Sequence, residues 1–386
     1  MRWILFVFLL IFTVSSNAYT QTKLQNMLDS IAAKWAPEKR EKICDFKAEK
    51  RNFRVYISGE TTEINAIKDL YNIMKLRKVR FSDGINLLPD TSTEKRCFGL
   101  VRVSVMNIRK TFSHTSELIS QAVMGTPVRV LKNIEEHYLV QTPDNYIGWA
   151  THASLVLKTT AEMSVWKKEK RLMFTAKTGV IYADTLKSTP VSDIVMTSIV
   201  MAENSYAQWT KVILPDNRRG YIDSNLLTDF GEWAKNVQAD VSDIVVLAKQ
   251  FLGVSYLWGG TSVHALDCSG FVKTLYFMNG ILLPRDASLQ FKNGINVDFA
   301  HNFSDLEPGD LLFFGTKLSA QLCVTHVGMY IGNNEFIHES EWVRINSLNS
   351  KSFNYSEYYH RRLLSVKRFI KADTQMLRIF NNQLFF

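Results

Sequence analysis

Only four cysteines, Cys44, Cys97, Cys268 and Cys323, occur in the 386 residues. That is too few for a disulfide scaffold in a chain of this size, so each needs its own explanation. For Cys44 and Cys97, both in the N-terminal region, a bridge and a pair of buried free thiols stand as equal alternatives. Long apolar runs are equally scarce. One opens the chain, in "MRWILFVFLLIFTVSSNAYTQ"; at about a dozen residues it is short of the ~20 that a spanning helix needs. Ser16 and Ala18 follow it directly, the pattern of a secretory leader cleaved after Ala18, so residues 1–18 are read as a signal peptide. No later segment is suited to span a bilayer, and no stable membrane span is expected after cleavage. Zinc-finger spacing, RNP-type aromatics and a P-loop are all missing. The net charge is +9, but the basic residues are scattered in short clusters such as "KKEKR" (167–171) and Arg361-Arg362. A nucleic-acid footprint needs a basic face, so no nucleic-acid partner is expected, and only a general attraction to an anionic envelope polymer remains. The expectation is a soluble, basic, exported protein, periplasmic or extracellular.

With 46% hydrophobic residues, a chain of this length supports roughly two to four domains. Residues 24–98 read as a small α+β unit. It contains a polar helix near Gln25–Lys34, a strand at "FRVYISGE", a helix at "TTEINAIKDLYNIMKLR" and a strand around "GINLLP". The second helix has Thr61 or Thr62 as its cap and Ile64, Ile67, Leu70, Tyr71 and Met74 as its buried stripe. Between about 99 and 230 the pattern changes to short β runs broken by Gly, Pro, Asn and Asp. Here Pro143-Asp144-Asn145 recurs at Pro215-Asp216-Asn217, Gly148-Trp149 at Gly220-Tyr221, and Leu155 at Leu227, all 72 residues apart. A constant offset across three features indicates duplicated domains, 99–160 and 161–230. Each copy resembles a bacterial SH3-like barrel. Trp149 and Tyr221 are either ligand stackers or core fillers, and the core reading is favoured for an aromatic in a small barrel. Residues 231–386 place helices first and antiparallel strand-like runs after, the layout of an α+β domain.

The chemistry lies in that last region. In "WGGTSVHALDCSGFVKTLYFMNG" Cys268 falls at the first turn of a helix, where unpaired N–H groups and the dipole favour thiolate over thiol. A thiolate nucleophile needs an imidazole to carry its proton and a third polar group to orient that imidazole. His326 opens the apolar run "HVGMYIG", and His338 follows beyond the Gly332-Asn333-Asn334 turn, so a hairpin would set the two rings side by side. The plainer alternatives are a cysteine acting as a small hydrophobe and a satisfied core histidine. A further alternative is zinc, held by Cys323 and His326 with Cys268 and His338. Positions 323 and 326 of an extended strand face opposite sides, so one ion would need a bulge there.

Together "YLWGG…LDCSGFV", "LPRDASLQ", "LEPGDLLFF" and "HVGMYIGNNEFIH" resemble the NlpC-type cysteine peptidases that cut bacterial cell-wall peptides, over about 240–369. The resemblance implies a papain-like α+β catalytic domain preceded by two small SH3-like β-barrels and the small N-terminal α+β unit. It implies Cys268 as nucleophile, His326 as general base, His338 as orienting residue, and Tyr256 near the oxyanion site. The branch with paired barrels consists of gamma-D-glutamyl-L-diamino-acid endopeptidases, which makes Tyr256, Trp258, Asp267, Ser269 and Arg285, with Glu117 from the first barrel, the implied substrate contacts. In that branch the carboxylate matching Asp267 faces the free amine of an N-terminal L-alanine; helix capping is its other reading. Ala265 and Ala287 depart from the family's usual glycine and serine, the second removing a substrate hydroxyl contact. The expected partners are peptidoglycan-derived peptides, and neither metal nor organic cofactor is required. The alternatives are an inactive peptide-binding protein, or amidase or transpeptidase chemistry on the same Cys-His apparatus. Lysine versus diaminopimelate and the oligomeric state are left open by the sequence.

Overall fold

The computed structural model describes residues 21–51, 54–93, 95–300, 303–319, 321–370 and 377–386. The expected leader, residues 1–18, lies outside them. Among the described residues no helix is long and apolar enough to cross a membrane, and all four cysteines are free thiols. The chain divides at residues 94/95 into two compact units.

In the first unit, strands Cys44–Arg51 and Arg54–Thr61 pair antiparallel, and Arg54–Thr61 pairs parallel with Phe81–Leu87. A parallel pair requires a crossover, which the helix Ile64–Leu76 supplies. That helix buries Ala66, Leu70 and Met74, while Ile64 and Tyr71 are exposed. Leu70 and Met74 of the expected stripe lie in the sheet core with Ile57, and Ile67 packs against it; Ile64 and Tyr71 are corrected to exposed positions, and Ala66 completes the i, i+4, i+8 line. The N-cap is Glu63, one residue later than expected, and the Thr61 hydroxyl accepts the Glu63 N–H.

The second unit begins with two seven-stranded sheets, one between Phe98 and Lys158 and one between Arg171 and Asp229. The 72-residue repeat is a structural repeat. Asn145 and Asn217 both take a left-handed φ, 66° and 67°, which asparagine tolerates in tight turns. Each N–H returns to the carbonyl three residues back, Thr142 at 2.8 Å and Leu214 at 2.9 Å. On the following strand Gly148 and Gly220 face inward, where a Cβ would lie 2.5 Å from a methyl of Ile108 or Ile181. Side chains alternate along a strand, so Trp149 and Tyr221 face outward and are only half-buried. The core reading of these two aromatics is thereby corrected; Trp149 packs its ring on Phe112 at 5.2 Å.

The remainder of this unit includes helix α1 (Val241–Lys249), helix α2 (Cys268–Phe277) and a six-stranded sheet of β1 (Ile295–Val297), β2 (Leu311–Leu318), β3 (Gln321–Gly332), β4 (Glu335–Glu339), β5 (Val343–Ser347) and β6 (Leu363–Arg368). Their spatial order is β1-β6-β2-β3-β4-β5. Phe271, Val272 and Leu275 of α2 share a core with Val327 and Met329 of β3 and Ile337 of β4, so the helix start is held against the β3–β4 hairpin.

Candidate active site

Asp267 caps α2, accepting the Gly270 N–H at 2.8 Å. Gly270 is required there, because a Cβ would lie 2.1 Å from the Gly260 carbonyl oxygen. This close approach seats the helix start on the Gly259-Gly260 turn. Cys268, the first helical residue, is buried, and its sulfur receives backbone N–H groups from Val327 and from Ser269. The thiol thus lies against the residue that follows His326. Burial first, and the Asp267 carboxylate second, push the thiol up to about 12. Burial thus works against the expected thiolate: the helix-start N–H groups stabilise the anion, while its removal from water favours the thiol.

His326 reaches the site through a bulge. The β2–β3 register shifts between Phe314 and Gly315, so that His326 opposes Phe314 and Val324 opposes Gly315, leaving Thr325 extra. Bulges re-aim side chains; here His326 meets His338 of β4, with His326 Nε2 2.8 Å from His338 Nδ1. Tyr359 packs on both rings, centroids 5.1 and 4.6 Å away. His338 Nε2 in turn lies 2.8 Å from Asn346 Oδ1. The Asn346 amide orientation follows from its other end, where Nδ2 donates to the Asn354 carbonyl at 3.0 Å. Because Asn346 presents an acceptor, His338 carries its proton on Nε2 and offers a bare Nδ1; His326 then donates from Nε2 and keeps an unprotonated Nδ1. Both rings are neutral. Burial lowers His338 to about 4, and burial with the neighbouring His338 holds His326 well below the usual histidine range.

The bulge that the zinc alternative demanded is therefore present. Cys323 is nevertheless exposed, and among the described residues no three His, Cys, Asp or Glu side chains are grouped to hold an ion.

The other residues singled out from sequence form two groups. Arg285, 1% exposed, donates to both oxygens of Asp267, at 3.1 and 2.5 Å, and to the Ser269 hydroxyl at 2.9 Å. Asp267 also accepts from Gly259 N at 2.9 Å and from the Ser269 hydroxyl at 3.0 Å. Its carboxylate is thereby saturated. Glu117 instead accepts the Trp258 indole N–H at 3.1 Å and pairs with Lys110 at 3.1 Å; Trp258 is 62% exposed. Next to this contact, Thr261 N–H donates to Gln121 Oε1 at 3.1 Å and Arg285 Nε to the Ser120 hydroxyl at 3.1 Å. The strand Leu118–Val123 of the first seven-stranded sheet thus borders the segment that leads into Cys268. Tyr256 is half-buried, and its phenol is electrostatically coupled to Cys268 and Asp267.

Two residues were missed in the sequence. Asn346 lies in "VRINSL", where nothing but its polarity in a strand-like run marks it. Glu339 lies directly after His338 in "EFIHES" and is fully buried, and a charged residue ending an apolar strand was the available signal.

A model of the NlpC/P60 family matches residues 253–367, and one described as the bacterial dipeptidyl-peptidase Sh3 domain matches residues 108–155. The gamma-D-glutamyl-L-lysine dipeptidyl-peptidase of Bacillus cereus is 31% identical over 238 residues, spanning 58% of this chain and 68% of that protein. Dipeptidyl-peptidase 6 of Lysinibacillus sphaericus is 27% identical over 246 residues, spanning 61% of this chain and 86% of its own length. The crystal structure of an NlpC/P60 family protein from Bacillus cereus superposes with a TM-score of 0.60 at 24% identity, covering 71% of this chain and 99% of that one. That likeness bears on the fold alone.

Proposed function

The chain belongs to the NlpC/P60 family of cysteine peptidases, and from that premise we propose that it hydrolyses the amide between the γ-carboxyl of D-glutamate and an L-diamino acid in peptidoglycan-derived peptides. The observation that carries the chemistry is the ordered chain Asn346–His338–His326, which leaves a bare imidazole nitrogen on the residue preceding the N–H donor to the Cys268 sulfur. In this reading the thiol proton passes to His326 Nδ1 as the sulfur attacks the γ-carbonyl carbon. The oxyanion is received at the start of α2 with Tyr256 nearby, an arrangement of donors worth about 10²–10³ in rate. The tetrahedral adduct then expels the diamino acid as its amine takes the proton from His326. Water, deprotonated by the same imidazole, attacks the thioester and restores the thiol.

The name of the Bacillus cereus relative, a gamma-D-glutamyl-L-lysine dipeptidyl-peptidase, supports the γ-glutamyl bond, and the position of the first barrel supports a preference for peptides with a free N-terminal L-alanine. Its Glu117, Ser120 and Gln121 hydrogen-bond to Trp258, Arg285 and Thr261, consistent with a cleft closed beyond Asp267. A peptide still attached to glycan through its amine would not fit a closed end. The substrate lies outside the cytoplasm, so the proposal includes export through the leader and a location in the cell envelope. The test is mass-spectrometric product analysis on L-Ala-γ-D-Glu-L-Lys, its diaminopimelate counterpart and their N-acetylated forms. Release of L-Ala-D-Glu from the free peptides, faster than from the acetylated ones by tenfold or more, is the expected result. Equal rates on both forms would remove the preference, and cleavage elsewhere, or peptide transfer in place of hydrolysis, would replace the reaction.

A further inference from the structure

Two arginines flank the histidine pair, each laid on an exposed aromatic ring. Arg344 stands on β5 directly opposite His338 of β4, and directly opposed residues share one face of a sheet. Its guanidinium lies 4.9 Å from the centroid of Trp342, a residue that is 47% exposed. The second, Arg362, ends the short helix Glu357–Arg362, one turn beyond Tyr359, whose ring packs on both histidines. Its guanidinium lies 4.9 Å from the centroid of Tyr358, which is 61% exposed. One hydroxyl joins the two sides: Ser340 accepts from the Tyr359 hydroxyl at 2.8 Å and from Arg344 Nη2 at 3.4 Å. Unlike the buried Arg285, both arginines are in part open to solvent, and so to a solute.

Neither cation is firmly held. Arg344 meets a carboxylate through Nη1 alone, 3.3 Å from Glu341, whose side chain is 70% exposed; such a surface pair is worth little and exchanges readily. Arg362 has no carboxylate partner among the described residues, since Glu357 of the same helix pairs with Arg361 instead. Two such cations are a poor setting for a general base. Behind burial and the neighbouring His338, their charges hold His326 down, which opposes the proton transfer from Cys268 until an anion arrives. The substrate supplies one. In the reaction proposed above, the acyl half stays on the sulfur at the start of α2 while the leaving amine takes its proton from His326, so the diamino acid lies on the histidine side. That residue carries a carboxylate on its α-carbon where it ends the peptide, and diaminopimelate carries another on its side chain. We infer that Arg344 and Arg362 form a subsite for a carboxylate of the leaving diamino acid, an inference that rests on the peptidase reading above. A docked carboxylate fixes the departing residue and neutralises the charge that restrains His326.

The discriminating substrates are L-Ala-γ-D-Glu-L-Lys, its C-terminal amide, the diaminopimelate counterpart, and the form in which the α-carboxyl of D-glutamate is amidated. Each is measured with the unsubstituted enzyme, Arg344→Met and Arg362→Met, which keep an unbranched apolar stem without the charge. The unsubstituted enzyme should favour lysine acid over its amide, or diaminopimelate over lysine, by about tenfold or more in kcat/KM, and the substitutions should collapse that ratio. A collapsed acid-to-amide ratio assigns the α-carboxylate, and a collapsed diaminopimelate-to-lysine ratio assigns the side-chain carboxylate. Collapse in one variant alone assigns the subsite to that arginine. The inference is overturned if neither ratio exceeds about threefold in the unsubstituted enzyme, or if both substitutions leave the ratios as they are, whether or not overall activity drops. It is equally overturned if the only ratio to collapse is that of the parent to the D-glutamyl amide, which would place the carboxylate on the acyl side. Calorimetric binding of the same peptides to Cys268→Ala, with and without Arg344→Met, reads the carboxylate preference in the absence of turnover. Failure of the unsubstituted enzyme to cut any of the peptides would thus sink the hydrolase reading while this arm still decides the role of Arg344.

Discussion

Replacing Asn346 with leucine tests the histidine chain where it is anchored. The side chain keeps a similar volume but loses the Oδ1 acceptor that lies 2.8 Å from His338 Nε2. Two outcomes are open to the site. Either the Nε2–H of His338 stays buried without an acceptor, at about 1–3 kcal/mol, or His338 changes tautomer and points an N–H at His326 Nε2, 2.8 Å away. The second forces His326 to move its own proton to Nδ1 and turn its basic lone pair away from the thiol. By either route the reactive arrangement loses about 1–3 kcal/mol, which is about 5- to 150-fold in kcat. KM should hardly move, because Asn346 touches another side chain rather than the peptide. Steady-state kinetics give the kcat and KM split, and long-range ¹⁵N–¹H correlation of the imidazole nitrogens reports the tautomers directly. Thermal unfolding checks that loss of the Asn354 contact has not simply unfolded the site. Asn346→Asp, which keeps an acceptor facing Nε2, should recover part of the rate. A folded Asn346→Leu enzyme with kcat within about twofold of the unsubstituted one would refute the reasoning, whichever tautomers the imidazoles show.

Cys268→Ser should abolish turnover while Cys323→Ser, at an exposed thiol, stays within about twofold; equal losses would reassign the nucleophile. With the Cys268 thiol pushed up to about 12, its alkylation by iodoacetamide should climb about tenfold per pH unit from 7 to 10, and a plateau across that range would reveal a resting thiolate instead. Arg285→Met leaves the buried Asp267 carboxylate without its guanidinium and should cost about 3–5 kcal/mol in denaturant unfolding, more than Arg285→Met with Asp267→Asn; equal costs would show that the pair is not acting as one. His338 titrates near 6.5 in an unfolded chain and at about 4 folded, so the unfolded chain takes up the proton first and stability falls as pH drops from 6.5 through 4. The loss is about 3 kcal/mol, and His338→Gln should remove it; the same pH dependence in both proteins would place the titration elsewhere.

The sequence by itself determined the α+β character of the last region, the duplicated Pro-Asp-Asn turns and the two histidines of one hairpin. These are local properties: alternation, glycine and asparagine at left-handed turns, and a cap-like aspartate ahead of an apolar run are all written within a few residues. It also carried the family, because several separated motifs fall in one order. The tertiary structure decided what depends on residues far apart in the chain. Whether Asp267 meets an ammonium group or a guanidinium depends on Arg285, eighteen residues on, and on Ser120 of the first barrel. Whether Cys268 rests as thiol or thiolate depends on the depth at which α2 packs against β3, since burial raises the pKa that the helix start would lower. Trp149 and Tyr221 read as core because their size is visible in sequence, whereas the closeness of Ile108 and Ile181 to Gly148 and Gly220 is not. Asn346 and Glu339 had no motif to mark them; the pairing of β5 with β4 sets one on the histidine, and the lack of any partner around the other appears only when every neighbouring donor has been placed.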